Sequence, residues 1–493
     1  MAKFLTRWMR LATLCFLWCP AVCSQEPASL VLRGAVVQAR VDEPGKILDI
    51  LIQGDKVAAV GPGLEAPEGA EILDLSGMVI APAFIDAGND GLLMEPGGPR
   101  TATGMAYARD LLIPADPLVR LALLRQGVGV VYAELPMATG ATTGDVGCVV
   151  LTDPEPISPS VLVDVAGVSV RVTGRSQNES NTILRRASLK SIEAGLDGAE
   201  RYKKTWEEFE KAKKEYLEKL EAFEKGEKPK AEAPKGEAPA QPATERPARS
   251  GLPEGFREWP REKQREWMRE SMRGGANRPT APTTDEAKPS SGGGSGRPKP
   301  PLTPKSNPSD AAWLRVLKRE VALRVEAHWK EDLEGILELA SRRRIRLVIL
   351  GGTEADRSEK LRTEEGHIFV LGTPATLLRD DLERVGSKSA LGQLLDKRGF
   401  SIAFRTSGED LLRYDSLPLL ASLHGGEGLT RSGQLSAMTM GAAKAIGMQD
   451  SLGRVAVGFR AVFQVRQGRE LDVRDPVTHM IFGTNVIRLL GER

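Results

Sequence analysis

Apolar and polar positions change their spacing along the chain. Over residues 29–85, "SLVLRGAVVQA", "ILDILIQGDKVAAVG" and "AEILDLSGMVIAP" alternate them, with Gly54-Asp55 between two runs. Alternation predicts half-buried strands, and the Gly-Asp pair predicts a tight hairpin turn. "RAVFQVRQGREL" and "VTHMIFGTNVIRLL" resume this texture near the C-terminus. Neither end has strands enough to bury a face alone, so the termini are expected to combine in one small composite β-sandwich.

Between them, helical and strand patterns take turns. "DPLVRLALLRQGVGVVYAEL" predicts a helix stopped at Gly127 and a strand after it. "EDLEGILELASRRRIRLVIL" repeats the arrangement, with basic Arg342–Arg344 at the helix end and a strand from Ile345. "HIFVLG", "DDLERVG" and "SALGQLLDKRGFSIAFR" continue it. Such alternation predicts an α/β protein with a parallel sheet, either a barrel or an open doubly wound sheet.

An insertion, residues 196–307, interrupts the pattern. Its first part sets Tyr202, Trp206, Phe209, Tyr216, Leu220 and Phe223 at steps of three and four, broken only by Lys213. These residues form one helical stripe. "KPKAEAPKGEAPAQPATERPARSG" lacks the apolar residues to bury a core, "FREWPREKQREWMRESMRGG" reads as a short amphipathic helix, and "KPSSGGGSGRPKPPLTPKSNP" reads as linker. Two readings stand: a solvated excursion from a barrel loop, or a docking arm (residues 200–306) that uses Trp206, Trp259 and Trp267 to hold a protein partner.

Composition sharpens this picture. At 493 residues, the chain is long enough for two or three folding units. Its 32 prolines and 51 glycines fit a partly unstructured insertion. The formal charge of +2 includes Lys3, Arg7 and Arg10; taking those three from 68 leaves 65 basic against 66 acidic residues. That balance argues against a nucleic-acid partner.

The three basic residues open a segment with the layout of a signal peptide. Basic "MAKFLTRWMR" precedes apolar "LATLCFLWCPAV" and small residues at Ala21-Val22-Cys23. Residues 1–23 are expected to direct export to the periplasm or the exterior, with an uncleaved anchor as the alternative. Three of the four cysteines lie there, which leaves Cys148 in "GDVGCVVL" as a small buried hydrophobe and no internal disulfide in the mature chain.

The candidate chemistry begins at "MVIAPAFIDAGND", residues 78–90, an apolar run ending in small and acidic residues. With the text before it, "VAAVGPGLEAPEGAEILDLSG", it resembles the amidohydrolase superfamily, in particular its imidazolonepropionase-like branch. "LLRQGVGVVY", "VEAHWKEDLEGILELASRRRIRLVILGGTEA", "SAMTMGAAKAIGM" and "LGRVAVGFRAVFQV" resemble further motifs of that branch in the same order.

The resemblance implies a (β/α)8 TIM-like barrel, residues 86–195 and 308–450. It is flanked by the composite β-sandwich from residues 24–85 and 451–493. It also implies hydrolysis of non-peptide C–N bonds, often in a cyclic amide or lactam, by metal-activated water, in a protein that forms dimers in some relatives. Free water is a weak nucleophile at neutral pH, and coordination to zinc lowers its pKa to about 7.

Carried over residue by residue, the resemblance delivers an altered site. The family's paired histidines after the first barrel strand fall on Gly88 and Asp90, with Asp86 kept before them. The fifth-strand histidine falls on Glu326, with His328 two residues on; the sixth-strand histidine falls on Leu350 or Gly351; the late aspartate falls on Ser407. Catalytic candidates are thus Asp86 and His328. Metal candidates are Asp90, Glu326 and His328, a carboxylate-rich set for zinc, manganese or magnesium if any cofactor is kept. Substrate-binding candidates are Glu354, Ser407 and His424, with a helix-start carboxylate as the other reading of Glu354. His367 and His479 read as structural. Three functions follow: a non-catalytic or impaired amidohydrolase without a cofactor, an active hydrolase with a rebuilt metal site, or an envelope protein acting through its insertion.

Overall fold

The strands that follow the first alternating block make one barrel-like sheet. A computed structural model describes residues 28–93, 105–112, 117–135, 145–152, 161–172, 182–225, 298–361, 366–374, 390–406, 417–468 and 470–490. The expected signal peptide, "DDLERVG", the segment "FREWPREKQREWMRESMRGG" with Trp259 and Trp267, and the Pro/Gly-rich linker up to residue 297 lie outside them.

Eight strands succeed one another around the sheet: β6 (Phe84–Asn89), β7 (Val128–Ala133), β8 (Asp145–Leu151), β9 (Val161–Arg171), β10 (Ala322–Ala327), β11 (Leu347–Gly351), β12 (Ile368–Leu371) and β13 (Ser401–Phe404). The Thr406 amide donates to Gly88 O at 3.0 Å and links the edge after β13 to β6. The circuit is nearly closed.

Helices alternate with these strands much as expected. Helix α1 (Pro117–Gln126) stops at Gly127, whose φ of +88° turns the chain into β7. After the long α2 (Thr182–Glu224), α3 (Pro308–Leu317) begins with the Asn307 side chain accepting from Ser309 N. Helix α4 (Lys330–Arg343) ends at Arg344 in the left-handed region, φ +54°. Helix α5 (Leu391–Lys397) leads to β13, and α6 (Leu417–Gly426), α7 (Arg431–Met438) and α8 (Met440–Ala445) follow it.

One strand departs from the all-parallel expectation. β8 runs antiparallel to both β7 and β9, while the remaining neighbours are parallel. The links on either side of β8 span residues 134–144 and 152–160. A parallel crossover needs a dozen or more residues, commonly with a helix, so links this short favour hairpin connections.

The terminal segments pair with each other, as strand shortage at each end requires. Strands β1 (Ser29–Val37), β2 (Lys46–Gln53), β3 (Lys56–Gly61), β4 (Glu71–Asp74) and β5 (Met78–Pro82) share one sheet with β14 (Val462–Gln467), β15 (Val477–Phe482) and β16 (Asn485–Arg488). β14 pairs antiparallel with β5, which joins the two ends of the chain. Strand pairing joins all eight in one forked sheet. β1 pairs with β4 over Leu30–Arg33 and with β5 over Val36–Val37, and the fork falls at Gly34, φ +73°. Leu30, Leu32, Ile50, Ile52, Phe463 and Val465 share one core in it.

Contacts divide the chain into a unit of residues 1–206 with 305–493 and another of 207–304. The start of the expected insertion is therefore core. Leu196 and Ala199 are buried, and Gly195 lets the Trp313 ring lie where a Cβ would sit 2.6 Å from it. Arg343 pairs with Asp197 and Glu200, and Arg185 with Asp332 at 2.9 Å. In the second unit, the stripe residues Phe209, Tyr216 and Leu220 are half-buried and Phe223 is exposed.

Arg466 ties the forked sheet to α1. Its guanidinium donates to Gln126 O at 2.7 Å, to Val473 O at 3.2 Å, to Asp475 O, and to Gln464 Oε1 at 2.7 Å. Gln126 O lies at the C-terminal end of α1, where the helix dipole favours a cation. Replacing Arg466 with Met is expected to lower unfolding free energy by roughly 2–4 kcal/mol, because several buried carbonyls lose their donor together. Urea titration of the two proteins reads the difference, and a loss within error would show that the carbonyls find other donors.

Candidate functional site

Period-2 alternation decides what faces the inside of the barrel. On β10, Leu323 and Val325 join the core beneath the helices, so Arg324 and Glu326 point the other way. Register pairs Arg324 with Val348 and Glu326 with Leu350, and those partners belong to a second apolar cluster with Val130, Tyr132, Val370 and Ala403. Strand ends add Glu134 after β7, Arg171 on β9, His328 after β10 and Arg405 after β13. The interior of the barrel thus sets charged side chains beside apolar ones on neighbouring strands.

Those charges are bound to one another. Glu134 accepts from Arg324 Nη2 at 3.0 Å and from Arg405 Nη1 at 3.2 Å. Glu326 accepts from Arg171 Nε at 3.1 Å, with Arg405 Nη2 at 3.6 Å from its other oxygen. Burial alone would raise the Glu326 carboxyl, but Arg171 and Arg405 outweigh it and hold the group well below the usual range. Arg324 also donates to Ala87 O at 2.5 Å and lies 3.8 Å over the Tyr132 ring. A guanidinium so placed meets a carboxylate, a carbonyl and a π face at once.

Two glycines show what this network fills. A Cβ on Gly88 would stand 2.3 Å from Glu134 Oε1 and 3.0 Å from Arg405 Cβ. A Cβ on Gly351 would stand 2.3 Å from His328 Cε1. The volumes that side chains at 88 and 351 would need are taken by Glu134 and His328.

The sequence-derived candidates are distributed as follows. Asp86 is buried and accepts from Thr406 Oγ1 at 2.5 Å, Asn89 Nδ2 at 3.0 Å, and the amides of Gly88 and Thr406 at 3.2 Å. Burial pushes its carboxyl up to about 7 against these hydrogen bonds. His328 holds Thr353 Oγ1 at 2.7 Å through Nδ1, and its Nε2 lies 3.6 Å from Glu326. Asp90 follows β6 at the same end of the strands. Glu354 accepts from Lys330 N at 2.9 Å and from Arg357 at 2.6 Å, so it caps the start of α4. His424 on α6 stacks on Phe404 with centroids 4.9 Å apart and donates from Nε2 to Gly372 O at 2.9 Å. Ser407 lies outside the described residues. Cys148 is buried on β8, and burial pushes its thiol up to about 12.

Sequence reading passed over Glu134, Arg171, Arg324 and Arg405. Their only local signal is a charge set into an apolar strand run, in "VVYAEL", "VSVRV", "ALRVEA" and "SIAFRT". As they stand, the residues do not fit a resident divalent metal. Glu134 and Glu326 are gripped by guanidinium groups, Asp86 is engaged by hydroxyl, amide and backbone donors, and positions 88 and 351 offer no ligand. Among the described residues, no three His, Cys, Asp or Glu side chains converge as a metal-holding group.

No protein-family model matches the chain, and no curated protein matches it in sequence. Solved structures do. The amidohydrolase from Thermotoga maritima MSB8 matches with a TM-score of 0.62 and 20% identity, over 93% of this chain and 100% of that one. The fold is therefore an amidohydrolase fold: mixed α/β, with a nearly closed eight-stranded barrel-like sheet. A prolidase complexed with N-methylphosphonate-L-proline matches at TM-score 0.47 and 16% identity, over 94% of this chain and 100% of that one. An Xaa-Pro dipeptidase with bound methionine matches at 0.47 and 11%, with the same coverages of 94% and 100%. These structural neighbours are hydrolases of the amidohydrolase superfamily.

Two outcomes are expected from this geometry. Because the folded Asp86 binds its proton up to about pH 7 and the unfolded one releases it near 3.8, the native state holds the extra proton between those values. Its stabilising contribution is complete below that window and is lost as pH rises through it, by at most about 4 kcal/mol at ~1.4 kcal/mol per unit. The stability difference between the unsubstituted chain and an Asp86→Asn variant should shrink from pH 4 to 7; a flat difference in urea titrations would refute the assignment. Gly351→Ala meets the His328 ring and a φ of +86°, whereas Gly366→Ala meets only φ +69° with nothing within 4 Å. The first should cost roughly 2–4 kcal/mol and the second about 1 kcal/mol, and equal costs would show that the imidazole moves aside freely.

Proposed function

We propose that this chain is a non-catalytic or impaired member of the amidohydrolase superfamily, with a barrel that serves as a rigid platform and not as a metal hydrolase. One observation carries the reading: the Glu134 carboxylate, fixed by Arg324 and Arg405, stands 2.3 Å from where a side chain at 88 would begin. The superfamily's usual activity, hydrolysis of non-peptide C–N bonds, relies on a cation that polarises water. Here the Glu134 and Glu326 carboxylates already have guanidinium partners, and Asp86 is held by hydroxyl, amide and backbone donors. The motif order in the sequence supports the imidazolonepropionase-like branch, and the first 23 residues support an exported protein.

A second reading, a rebuilt hydrolase using Asp90, Glu326 and His328, is favoured by the 3.6 Å between Glu326 and His328. One experiment separates the two. The mature chain, purified without chelator, is assayed for zinc, manganese and magnesium and tested on lactams and cyclic dipeptides. The platform reading expects only trace metal and no turnover on adding manganese. Stoichiometric metal with turnover lost in an Asp90→Ala, His328→Ala double variant would establish the hydrolase.

A further inference from the structure

Helix α2 carries a stripe that water does not fully reach. Tyr202, Trp206, Phe209, Ala212, Tyr216 and Leu220 are half-buried, while Glu207, Glu208, Lys211, Lys214 and Glu218 beside them are exposed. The indole nitrogen of Trp206 is shut off from solvent. A ring on a lone helix keeps most of its surface wet, and an amphipathic helix draws its stability from packing its apolar face. The stripe therefore has a cover.

Connectivity limits what that cover is. Gly195 on α2 lies against the Trp313 ring of α3, so the chain that leaves α2 after Glu224 must be back beside Gly195 by Trp313. From Gly195 to Glu224 the helix runs about 44 Å. Residues 226–297 make the return, and their only aromatic residues and methionines are Phe256, Trp259, Trp267, Met268 and Met272. Pro260 and Gly274 bracket a stretch with the signature of a helix, proline at its first position and glycine after its last. In that stretch Gln264, Trp267, Met268, Ser271 and Met272 recur at helical spacing. Charge agrees: residues 207–225 hold seven acids and five bases, whereas residues 256–275 hold six bases and four acids.

We propose that residues 260–273 form a helix that folds back along the α2 stripe and covers it through Trp267, Met268 and Met272. The insertion is then an antiparallel helical hairpin whose aromatic surface is occupied by its own chain. A segment tethered at both ends meets the stripe at an effective concentration on the order of millimolar, which favours it over a second copy or a foreign partner. The inference concerns the insertion alone and is independent of the chemistry of the barrel.

The test is hydrogen exchange on the full mature chain and on a Trp267→Ser, Met272→Ser double variant. In the unsubstituted chain, the amides of 207–224 and 260–273 should be protected together. In the variant both segments should exchange at least about tenfold faster, with β10 and β11 unchanged. Unaltered exchange over 207–224 overturns the proposal. Should the barrel strands also exchange faster in that variant, Tyr216→Ser replaces it and exchange over 260–273 is read, where faster exchange supports the hairpin and unaltered exchange overturns it. Cross-linking identifies whose segment covers the stripe. Chains labelled with light and heavy nitrogen are refolded together from urea and treated with an amine-reactive cross-linker. Links from Lys263 to Lys211, Lys213 or Lys219 should join only segments of the same isotope. Mixed-isotope links would assign the cover to a second copy, and the lack of any such link would assign it to neither; each overturns the proposal.

Discussion

A buried carboxylate must be matched by a cation or a dense set of donors, and this requirement organises the interior of the barrel. Two ionised groups leave water at a cost of several kcal/mol each, which is recovered only when geometry and hydrogen bonding are good. Glu134 meets that demand with two guanidiniums, and the rest of the interior follows from where those guanidiniums must lie. Arg324 reaches Glu134 by lying over the Tyr132 ring. Tyr132 fits because Gly147 and Gly167 have no side chains, for a Cβ on either would stand within 2.8 Å of its hydroxyl. A glycine on β8 and another on β9 are thus consequences of one ion pair on β7 and β10. Removing Glu134 alone would leave two buried cations short of a partner, a change that typically costs about 3–5 kcal/mol.

The same residue type does different work at the junction with the terminal sheet. Arg466 is also buried, but its partners are backbone carbonyls and the Gln464 amide oxygen. Neutral acceptors compensate a guanidinium less completely than carboxylates do. Burial accordingly pulls the Arg466 guanidinium down to about 10, with Asp475 and Asp472 opposing the shift. It still holds its charge at neutral pH, which suits a fixed fork of donors crosslinking the end of α1 to β14. Gly127 is needed there twice over: its φ of +88° ends α1, and a Cβ would stand 2.3 Å from Gln464 Oε1. One arginine network fills the barrel; the other fastens the sheet to it.

Much of the fold was legible because its signals are local. The stop at Gly127, the basic end of α4 and the strands after each are written in neighbouring residues, and the structure follows them. The antiparallel course of β8 was not legible, since it depends on link length and on which neighbours are free to pair. The forked sheet was half legible: pairing of the termini follows from strand shortage, but the fork depends on Gly34 and on β4 and β5 sharing one edge of β1. The site was least legible of all. Arg324 and Arg405 meet Glu134 across 190 and 271 residues of sequence, and no window of sequence contains such a pair. What the sequence did reveal was Gly88 standing in a place where the resemblance sets a ligand, without showing which side chain fills the space beside it.

That distinction between an emptied site and a filled one has physical weight. A glycine that simply deleted a large side chain would leave a void, and destabilisation grows with residual cavity volume, by about 24 cal/mol per Å³ in measured core deletions. Here the volumes beside Gly88 and Gly351 are occupied by Glu134 and His328, at separations that admit no Cβ. Each glycine and its intruding neighbour form a compensating pair, and Arg405 couples the two pairs through Glu134 and Glu326. A histidine placed at 88 would meet Glu134 at its Cβ. Moving Glu134 aside would strand Arg324 and Arg405. The arrangement is self-consistent as a set and resistant to single reversals, as expected of a packed ionic core whose members depend on one another.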